Sequence, residues 1–264
     1  MQKIFKSQTR NLVKDWAKII MRVRRLDRAT IASIYLDGVG IEIGALHNPL
    51  RVPLSAKVRY VDRYSVSELR KQYPEMQSLK LANVDIIDDG ETLKTVEDST
   101  QDFVIANHFL EHCENPINAV INFLRVLRDG GILYLSVPDK QFTFDKRRQV
   151  SSFEHLIHDY QKGPTSSRKD HFRDWVINVE QKRNEIEIQT RIDELISNNF
   201  SIHYHVWAQN DILNFFVLLN ERFNLPLEIQ LFYKNGEEVI FIIKKHYQNL
   251  YYSSVSNNRV THSL

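Results

Sequence analysis

The stretch from Gly38 to Arg63 constrains the fold of this chain more than any other part of it. It holds two short apolar runs, G-V-G-I-E-I and K-V-R-Y-V-D, joined through a turn at Gly44. Glycine suits a turn in which the backbone approaches a ligand. Asp62 ends the second run, about twenty residues after the turn, where nucleotide-type cofactors have their ribose hydroxyls held. The stretch predicts a strand–turn–strand unit of an α/β fold, whose acids Glu42 and Asp62 either bind such a ligand or are solvated.

Strands and helices alternate after this unit. We predict helices at 65–73 and from Asn115 to a C-cap at Gly130-Gly131, and strands at 40–43, 57–61, 84–87, 102–106 and 132–137. Alternation implies parallel strands joined by right-handed crossovers, and ligands of such sheets bind beyond the carboxyl ends of the strands. The polar or turn residues at those ends are Gly44, Asp62, Asp88 and Asn107. Their convergence predicts one ligand site at that edge.

The C-terminal third has a different pattern. Residues 211–223 predict an amphipathic helix, and 227–232 and 238–243 predict a strand pair joined at Asn235-Gly236, a hairpin signal. Between the two parts, residues 140–199 do not continue the alternation, and we expect them to form an insertion that covers the ligand edge. Within it, 174–197 predicts a charged helix.

Composition places the chain among ordinary globular proteins. It has 264 residues, 42% hydrophobic and 26% charged, which fits one domain with an insertion. A net charge of +2 gives no global attraction to nucleic acid. The single cysteine, Cys113, excludes an intramolecular disulfide and a Cys-based zinc cluster. No apolar run reaches membrane-spanning length and no signal-peptide pattern begins the sequence, so we expect a cytoplasmic protein.

Residues 1–30 predict a basic amphipathic helix ahead of a main domain at 31–246, and 247–264 predict a loose tail. The apolar stripe of the helix comprises Leu12, Trp16, Ile19, Ile20, Val23 and Leu26. Such a helix either packs on the domain or contacts an anionic membrane surface or an acidic partner.

Histidines are concentrated in and after the insertion. His155, His158 and His171, with Asp145 and Asp159, could serve as general bases or metal ligands, or could hydrogen-bond within a polar surface segment. Residues 201–207 predict a strand-like segment that directs His203 and His205 to the same side.

The run from Asp102 to Pro138 carries a family resemblance. Its strand leads to L-E-H, then to a helix ending R-V-L-R-D-G-G, then to a strand ending V-P. This order resembles class I S-adenosylmethionine-dependent methyltransferases, and the C-terminal helix and strand pair look like the end of that fold. The runs I-G-A-L-H-N-P-L and Y-V-D-R are similar to methyltransferases found beside glycosyltransferases in bacterial surface-polysaccharide pathways. The resemblance implies a Rossmann-like, mostly parallel sheet with an antiparallel C-terminal strand.

The resemblance also implies roles for individual residues. Glu42 and Gly44 would line the methionine end of S-adenosylmethionine, and Asp62, beside Arg63, would accept from the ribose hydroxyls. Asp88 or Asp89 would meet the adenine amino group. Asn107 and His108 would border the reacting sulfonium. The turn departs from the family pattern at Leu46 and His47, where many members keep further glycines.

The methyl acceptor decides whether a base is needed. A hydroxyl is a poor nucleophile until its proton leaves, and the candidate bases are His108, His112, His155 and His205, with His108 nearest the methyl by topology. We expect methyl transfer to a hydroxyl of a glycan or lipid-linked sugar. The alternatives are a quinone or natural-product methyltransferase, or a non-catalytic cofactor-binding protein that docks on a partner through the N-terminal helix. As separate partners of that helix, we consider a membrane surface or a glycosyltransferase. A dinucleotide oxidoreductase is disfavoured, because one glycine does not make a pyrophosphate loop.

His108, Glu111 and His112 also match H-x-x-E-H, a zinc-peptidase motif that needs one continuous helix. Here the motif follows a strand directly and a new helix begins at Asn115-Pro116, so the peptidase interpretation is disfavoured. The three side chains could hold a divalent ion, as in some quinone-biosynthesis methyltransferases, or could brace the next helix. We favour bracing and predict no bound metal.

Overall fold

The structure, a computed structural model, describes residues 26–246. Helix α1, Arg28–Tyr35, begins after Asp27, whose side chain accepts a hydrogen bond from Thr30 N and so caps the helix. Most of the predicted N-terminal helix and the whole C-terminal tail lie outside the described residues. The predicted helix through residue 30 is wrong at its end, because Asp27 caps a new helix there.

Seven strands form one sheet in the order β3-β2-β1-β4-β5-β7-β6. The first five are parallel, while β7 runs antiparallel to both β5 and β6. This confirms the predicted Rossmann-like sheet with its antiparallel C-terminal strand. The strands are β1 Gly38–Ile43, β2 Ala56–Asp62, β3 Ile86–Ile87, β4 Gln101–Asn107, β5 Leu127–Pro138, β6 Leu227–Asn235 and β7 Glu238–Lys245.

Helices lie on both faces of the sheet and in the insertion. Ser65 and Glu68 form a capping box at the start of α2, and Asn115 accepts from Asn118 N at the start of α3. The helices after α1 are α2 Val66–Gln72, α3 Pro116–Val126, α4 Phe153–Lys162, α5 Arg168–Asn178, α6 Glu185–Ser197 and α7 Gln209–Phe223.

The two faces of the sheet pack into separate cores. Phe103 and Ile105 of β4 face α1, whereas Val104 and Ala106 face the cluster that includes α3 and α7. All four side chains are fully buried. A central parallel strand covered on both faces reads as a continuous apolar run, which is why β4 could be located from the sequence.

The predicted C-cap at Gly130-Gly131 is wrong. Helix α3 ends at Val126 and β5 begins at once, with Leu127 opposite Gln101 and Ile132 opposite Phe103. The extra residues of β5 form an irregularity in which Gly130 takes a φ of 78°. The glycines therefore serve a bend within the strand and not the end of the helix.

The insertion contains α4, α5 and α6 and has a small core of its own, made by Phe172, Val176, Ile188, Ile192, Leu195, Ile202 and Tyr204. The single helix predicted over 174–197 is wrong, because α5 ends at Asn178 and Asn184 caps a separate α6. Residues 201–207 are extended but form no strand. Their backbone bonds run to loops, including Ser151 N to Val206 O and His205 N to Glu111 O. No helix within 26–246 has the length and apolar character needed to cross a membrane.

Candidate active site

A cavity of about 280 Å³ opens at the carboxyl ends of β1, β2 and β4. The strand order reverses at the parallel pair β1 and β4, since β2 and β3 lie on one side of it and β5 on the other, and open α/β sheets bind ligands at such a switch point. The lining residues are Gly44, Leu46, Asp62, Arg63, Tyr64, Leu69, Tyr73, Glu75, Met76, His108, Phe109, His112 and Ser201.

One wall comes from the ends of β1 and β2. Gly44 has a φ of 63°, in the left-handed region that glycine adopts without strain, and its N–H donates to Val61 O at 2.9 Å. Asp62 Oδ1 accepts a 3.4 Å hydrogen bond from Tyr64 N, and burial raises the pKa of Asp62. A carboxylate accepts about four hydrogen bonds, so Asp62 keeps acceptor capacity toward the cavity.

The opposite wall begins at His108, directly after β4. Its φ of 49° is rare for a residue other than glycine, and the strained backbone is held by a 2.9 Å bond from His108 N to Ser136 O. Nε2 of the ring donates to Glu238 Oε2 at 2.8 Å, and Nδ1 lies 3.5 Å from Glu111 Oε1. Arg28 donates to the same Glu238 carboxylate through Nε at 2.8 Å.

This network makes His108 a cation. Burial would lower its pKa, but the hydrogen bonds to Glu111 and Glu238 prevail and raise it to about 9. Burial likewise opposes ionisation of Glu238, yet the bonds from Arg28 and His108 lower its pKa to about 2. An imidazolium has no free lone pair, so the ring of His108 can donate but cannot act as a base at neutral pH.

His112 has the opposite character. Its Nδ1 lies 3.0 Å from Ile202 O and 3.0 Å from Ser201 Oγ. Because a carbonyl oxygen only accepts, the proton sits on Nδ1 and the lone pair on Nε2. Burial lowers the pKa of His112 to about 4, so the ring is neutral at pH 7.

Two predicted site residues lie behind the cavity. Both oxygens of the buried Glu42 accept from Leu50 N, at 2.9 and 3.1 Å, and burial raises the pKa of Glu42 to about 7. Asn107 accepts from Ser136 Oγ at 2.9 Å. Neither lines the cavity. Glu42 instead contacts the loop after β1, and Asn107 contacts the end of β5.

The side chain of Asp88 is hydrogen-bonded within its own loop, whereas Asp89 lines a cavity. Asp88 accepts from Asp89 N, Thr95 N and Thr95 Oγ1, each at 2.7 Å, and lines neither cavity of the site. Asp89 lines a smaller cavity of about 120 Å³ that shares Arg63, Tyr64, His112 and Ser201 with the first; its other lining residues are Glu91, Glu114, Arg168, Asn199, Phe200 and Tyr204.

The structure places His155 and His205 away from this cavity, in a cluster with Asp159 and His171. His203 and His205, predicted on one side of a strand, contact different groups, since His203 Nδ1 lies 2.6 Å from Asp145 Oδ2.

The H-x-x-E-H run forms no continuous helix. Leu110–His112 is a single 3₁₀ turn, so the continuous helix that the peptidase interpretation needs is not formed. Glu111, His112 and His203 do offer ligand atoms within 4.8 Å of one another, so a metal could be held at this wall.

Sequence reasoning missed several lining residues. Tyr73 and Met76 flank Pro74, where the predicted helix ends. The end of the helix at this proline was the feature of the sequence that could have indicated them. Glu238 was also missed, because it reaches His108 only through the pairing of β5 with β7. Ser201 has no local signal at all.

Residues 38–135 match the family described as a methyltransferase domain, which is less than half of the chain. A sequence search of curated proteins finds no significant match. Three solved structures are similar. A Rhodobacter sphaeroides chain described among the Zn-dependent alcohol dehydrogenases has 12% identity and TM-score 0.50, covering 81% of this chain and 86% of that one. A Methanosarcina mazei SAM-dependent methyltransferase has 17% identity and TM-score 0.47, covering 84% and 100%. One from Aquifex aeolicus has 11% identity and TM-score 0.42, covering 81% and 85%.

At these identities the structural likenesses bear on the fold alone. The domain match runs from the start of β1 into β5, the part of the chain that forms both walls of the cavity. The match to a methyltransferase domain over this part of the chain supports S-adenosylmethionine-dependent methyl transfer, with S-adenosylmethionine as the cofactor. The match ends before the insertion and so does not identify the acceptor.

Proposed function

We propose that this enzyme methylates a hydroxyl of a glycan or lipid-linked sugar, with the cofactor in the larger cavity and the acceptor in the smaller one. The observation that carries the proposal is the polar cavity beside the cofactor edge, which shares four residues with it. S-adenosylmethionine supplies a methyl group already activated on a sulfonium, so the protein has to align the acceptor and remove its proton.

The cofactor side of the proposal rests on Asp62 and Gly44. Asp62 has acceptor capacity for ribose hydroxyls, and Gly44 lets the chain turn at the cavity wall. Arg63 lines both cavities. It can therefore contact ligands on either side.

The acceptor side rests on charge. Asp89, Glu91, Glu114 and Arg168 border the smaller cavity, and Tyr204 adds an aromatic ring. Hydroxyl-rich sugars are recognised by polar and charged groups, whereas a quinone or other apolar acceptor needs a largely hydrophobic pocket. This lining favours the sugar over the quinone alternative.

Of the four histidines considered as bases, His112 fits best. It lines both cavities, is neutral at pH 7 and keeps a lone pair on Nε2. His108 is a cation and is better suited to donate a hydrogen bond or to order the wall. We assign the base role to His112.

Calorimetric titration with S-adenosylhomocysteine tests the cofactor half. We expect Asp62→Ala to weaken binding about 10- to 100-fold, since a hydrogen bond to a charged group contributes about 1.5–3 kcal/mol. Asp98→Ala is the matched control, because Asp98 is 70% exposed and precedes β4 at the other edge of the sheet. Equal affinity in wild type and Asp62→Ala would contradict the assigned role.

A screen with radiolabelled methyl donor tests the acceptor half. Free sugars, nucleotide sugars and lipid-linked oligosaccharides are compared with quinols and catechols. Incorporation into a sugar hydroxyl that depends on Arg168 supports the proposal. Transfer confined to the aromatic acceptors would overturn it while leaving the cofactor half intact.

A further inference from the structure

The structure assigns a second site, a tetrahedral zinc-type cation site formed by His155, Asp159, His171 and His205. It lies where α4 and α5 of the insertion meet the segment before α7 and does not line the cofactor cavity. The inference rests on three observations: the spacing of the four ligand atoms, a buried carboxylate oxygen without a hydrogen bond, and a hydrogen bond that orients that carboxylate.

The four ligand atoms lie close enough together to surround one ion. His155 Nε2 lies 3.2 Å from His171 Nε2 and 3.2 Å from Asp159 Oδ2. Asp159 Oδ2 lies 3.5 Å from His171 Nε2 and 3.8 Å from His205 Nε2. All four atoms lie within 4.8 Å of one another. Zinc bound at about 2.0–2.1 Å by nitrogen and oxygen in a tetrahedron has ligand atoms roughly 3.4 Å apart, which is near these four separations.

The carboxylate oxygen of Asp159 that faces the imidazoles makes no hydrogen bond. Its side chain is fully buried, and Oδ2 is among the buried polar atoms of residues 26–246 that make no hydrogen bond. A buried carboxylate oxygen left unsatisfied is costly. A cation at the centre of the cluster satisfies it and at the same time takes a lone pair from each of the three imidazoles.

The other oxygen of Asp159 is held in place. Ser167 Oγ, at the start of α5, donates to Asp159 Oδ1 at 2.5 Å. Metal-binding carboxylates are commonly oriented by such a hydrogen bond, and its removal weakens metal binding. His205 Nε2 also lies 3.3 Å from Glu114 O, a contact that coordination would replace.

The chain brings the ligands together from three segments. His155 and Asp159 are four residues apart on α4 and share one face, His171 lies on α5, and His205 belongs to the extended segment before α7. Three histidines with one carboxylate suit zinc better than magnesium or calcium. Four protein ligands leave no open position, so the ion is structural and not catalytic.

The site has an entry path and a consequence. The side chain of His155 is 36% exposed, whereas those of Asp159 and His205 are fully buried. His205 N donates to Glu111 O, and Glu111 precedes the proposed base His112. The ion would fasten the insertion to the wall of the active site.

The test uses the full chain without an affinity tag. After chelation and dialysis, the protein is titrated with Zn²⁺ and with Co²⁺, and bound metal is measured by mass spectrometry. We expect about one Zn²⁺ per chain and the intense visible bands of tetrahedral Co²⁺. Chelation should lower the melting temperature of the wild type, and added Zn²⁺ should restore it. Wild type that binds neither metal, or Co²⁺ without tetrahedral bands, would overturn the site.

Variants locate the ion. Asp159→Asn and His171→Ala should lose Zn²⁺ at the concentrations that saturate the wild type, and Ser167→Ala should bind about tenfold more weakly. His47→Ala is the control, because His47 is exposed and lies outside the cluster. Retention of the bound ion by Asp159→Asn, judged on folded protein by circular dichroism, contradicts the assignment. S-adenosylhomocysteine binding is measured in parallel and is expected to persist, so failure of this site and failure of the cofactor site are distinguishable.

Discussion

His108 is held between two carboxylates that come from distant parts of the chain. Glu111 is three residues away, whereas Glu238 arrives from the start of β7. Arg28 completes the set from α1. The cavity wall thus carries a fixed positive charge that neighbouring acids compensate.

We expect the ring of His108 to titrate well above the usual range for histidine, near pH 9, in NMR spectra of the folded protein. Glu238→Gln should lower this pKa, because it removes one of the two carboxylates. Glu237→Gln, the exposed neighbour, should leave it unchanged. A His108 pKa near 6.5 in the wild type would show that the pair does not form in solution.

The same charge makes stability depend on pH. The folded chain keeps the His108 proton up to about pH 9, while the unfolded chain releases it near pH 6.5. The contribution of protonated His108 to the free energy of unfolding is therefore complete below pH 6.5 and is lost as the pH rises through 9. Denaturant unfolding at several pH values should show a smaller fall over that window in Glu238→Gln than in the wild type.

His112 gives a kinetic prediction. With a pKa of about 4, its acidic limb in kcat should lie near pH 4 and not near pH 6.5. His112→Gln should lower kcat about 100-fold or more if the ring removes the acceptor proton, while S-adenosylhomocysteine binding persists. The exposed His47 offers the control substitution His47→Gln. Unchanged kcat in His112→Gln would exclude it as the base.

Local pattern located the polar residues at strand ends, since the end of an apolar run marks where a parallel strand leaves the sheet. Asp62 was found in this way and His108 through the family resemblance, and both line the cavity. The partner of His108 could not be found, because Glu238 lies 130 residues further along the chain. The position of a residue at a strand end also could not show that the side chains of Asn107 and Glu42 hydrogen-bond to neighbouring segments and do not line the cavity.

At the scale of elements, the insertion depends on one buried arginine. The side chain of Arg148 is 1% exposed. Its Nη1 donates to Asp145 Oδ1 at 2.9 Å and to His203 O at 2.6 Å, and its Nε donates to Asp174 Oδ2 at 2.5 Å. One side chain thereby joins the loop after β5, helix α5 and the segment before α7.

Arg148→Met should destabilise the protein by about 3–5 kcal/mol, because it removes the guanidinium that pairs with the buried Asp145. Arg147→Met changes an exposed neighbour and should stay within about 0.5 kcal/mol. Urea unfolding measures both. Equal midpoints for the two variants would mean that the network contributes nothing to stability.

Elements with a strong period were predictable, and those defined by partners were not. The parallel strands and α7 follow apolar patterns, whereas the end of α3 depends on how β5 pairs with β4. Apolar and polar residues alternate along the segment 201–207 as in a strand. Its backbone nevertheless hydrogen-bonds to loops, because the segment does not pair with any strand of the sheet. An alternation of apolar and polar residues indicates that one side of a segment is buried, but it does not identify the segment that packs or pairs with it.

At the scale of the molecule, the sequence before Leu26 carries eight lysines and arginines against one aspartate. Basic amphipathic segments bind anionic lipid surfaces. We propose peripheral membrane contact for this segment, which would bring the enzyme to a lipid-linked acceptor.

Deletion of residues 1–25 tests this contact. The truncated chain keeps Arg28 and its bond to Glu238, so S-adenosylhomocysteine binding should be unchanged. Co-sedimentation with vesicles containing phosphatidylglycerol should fall, and the wild-type signal should fall at high salt. Vesicles of phosphatidylcholine alone are the control. Equal sedimentation of both proteins would contradict the membrane role.

The position of Glu238 also has a consequence for biosynthesis. A ribosome makes the glycine turn, Asp62 and His108 long before it reaches β7, and N-terminal parts of a chain fold first. Until the last hairpin is translated, the nascent protein has a cofactor edge whose histidine lacks its second carboxylate. The cavity wall is completed only once β7 has been translated, so chains that stop short of the hairpin should be inactive even where the first five strands have formed.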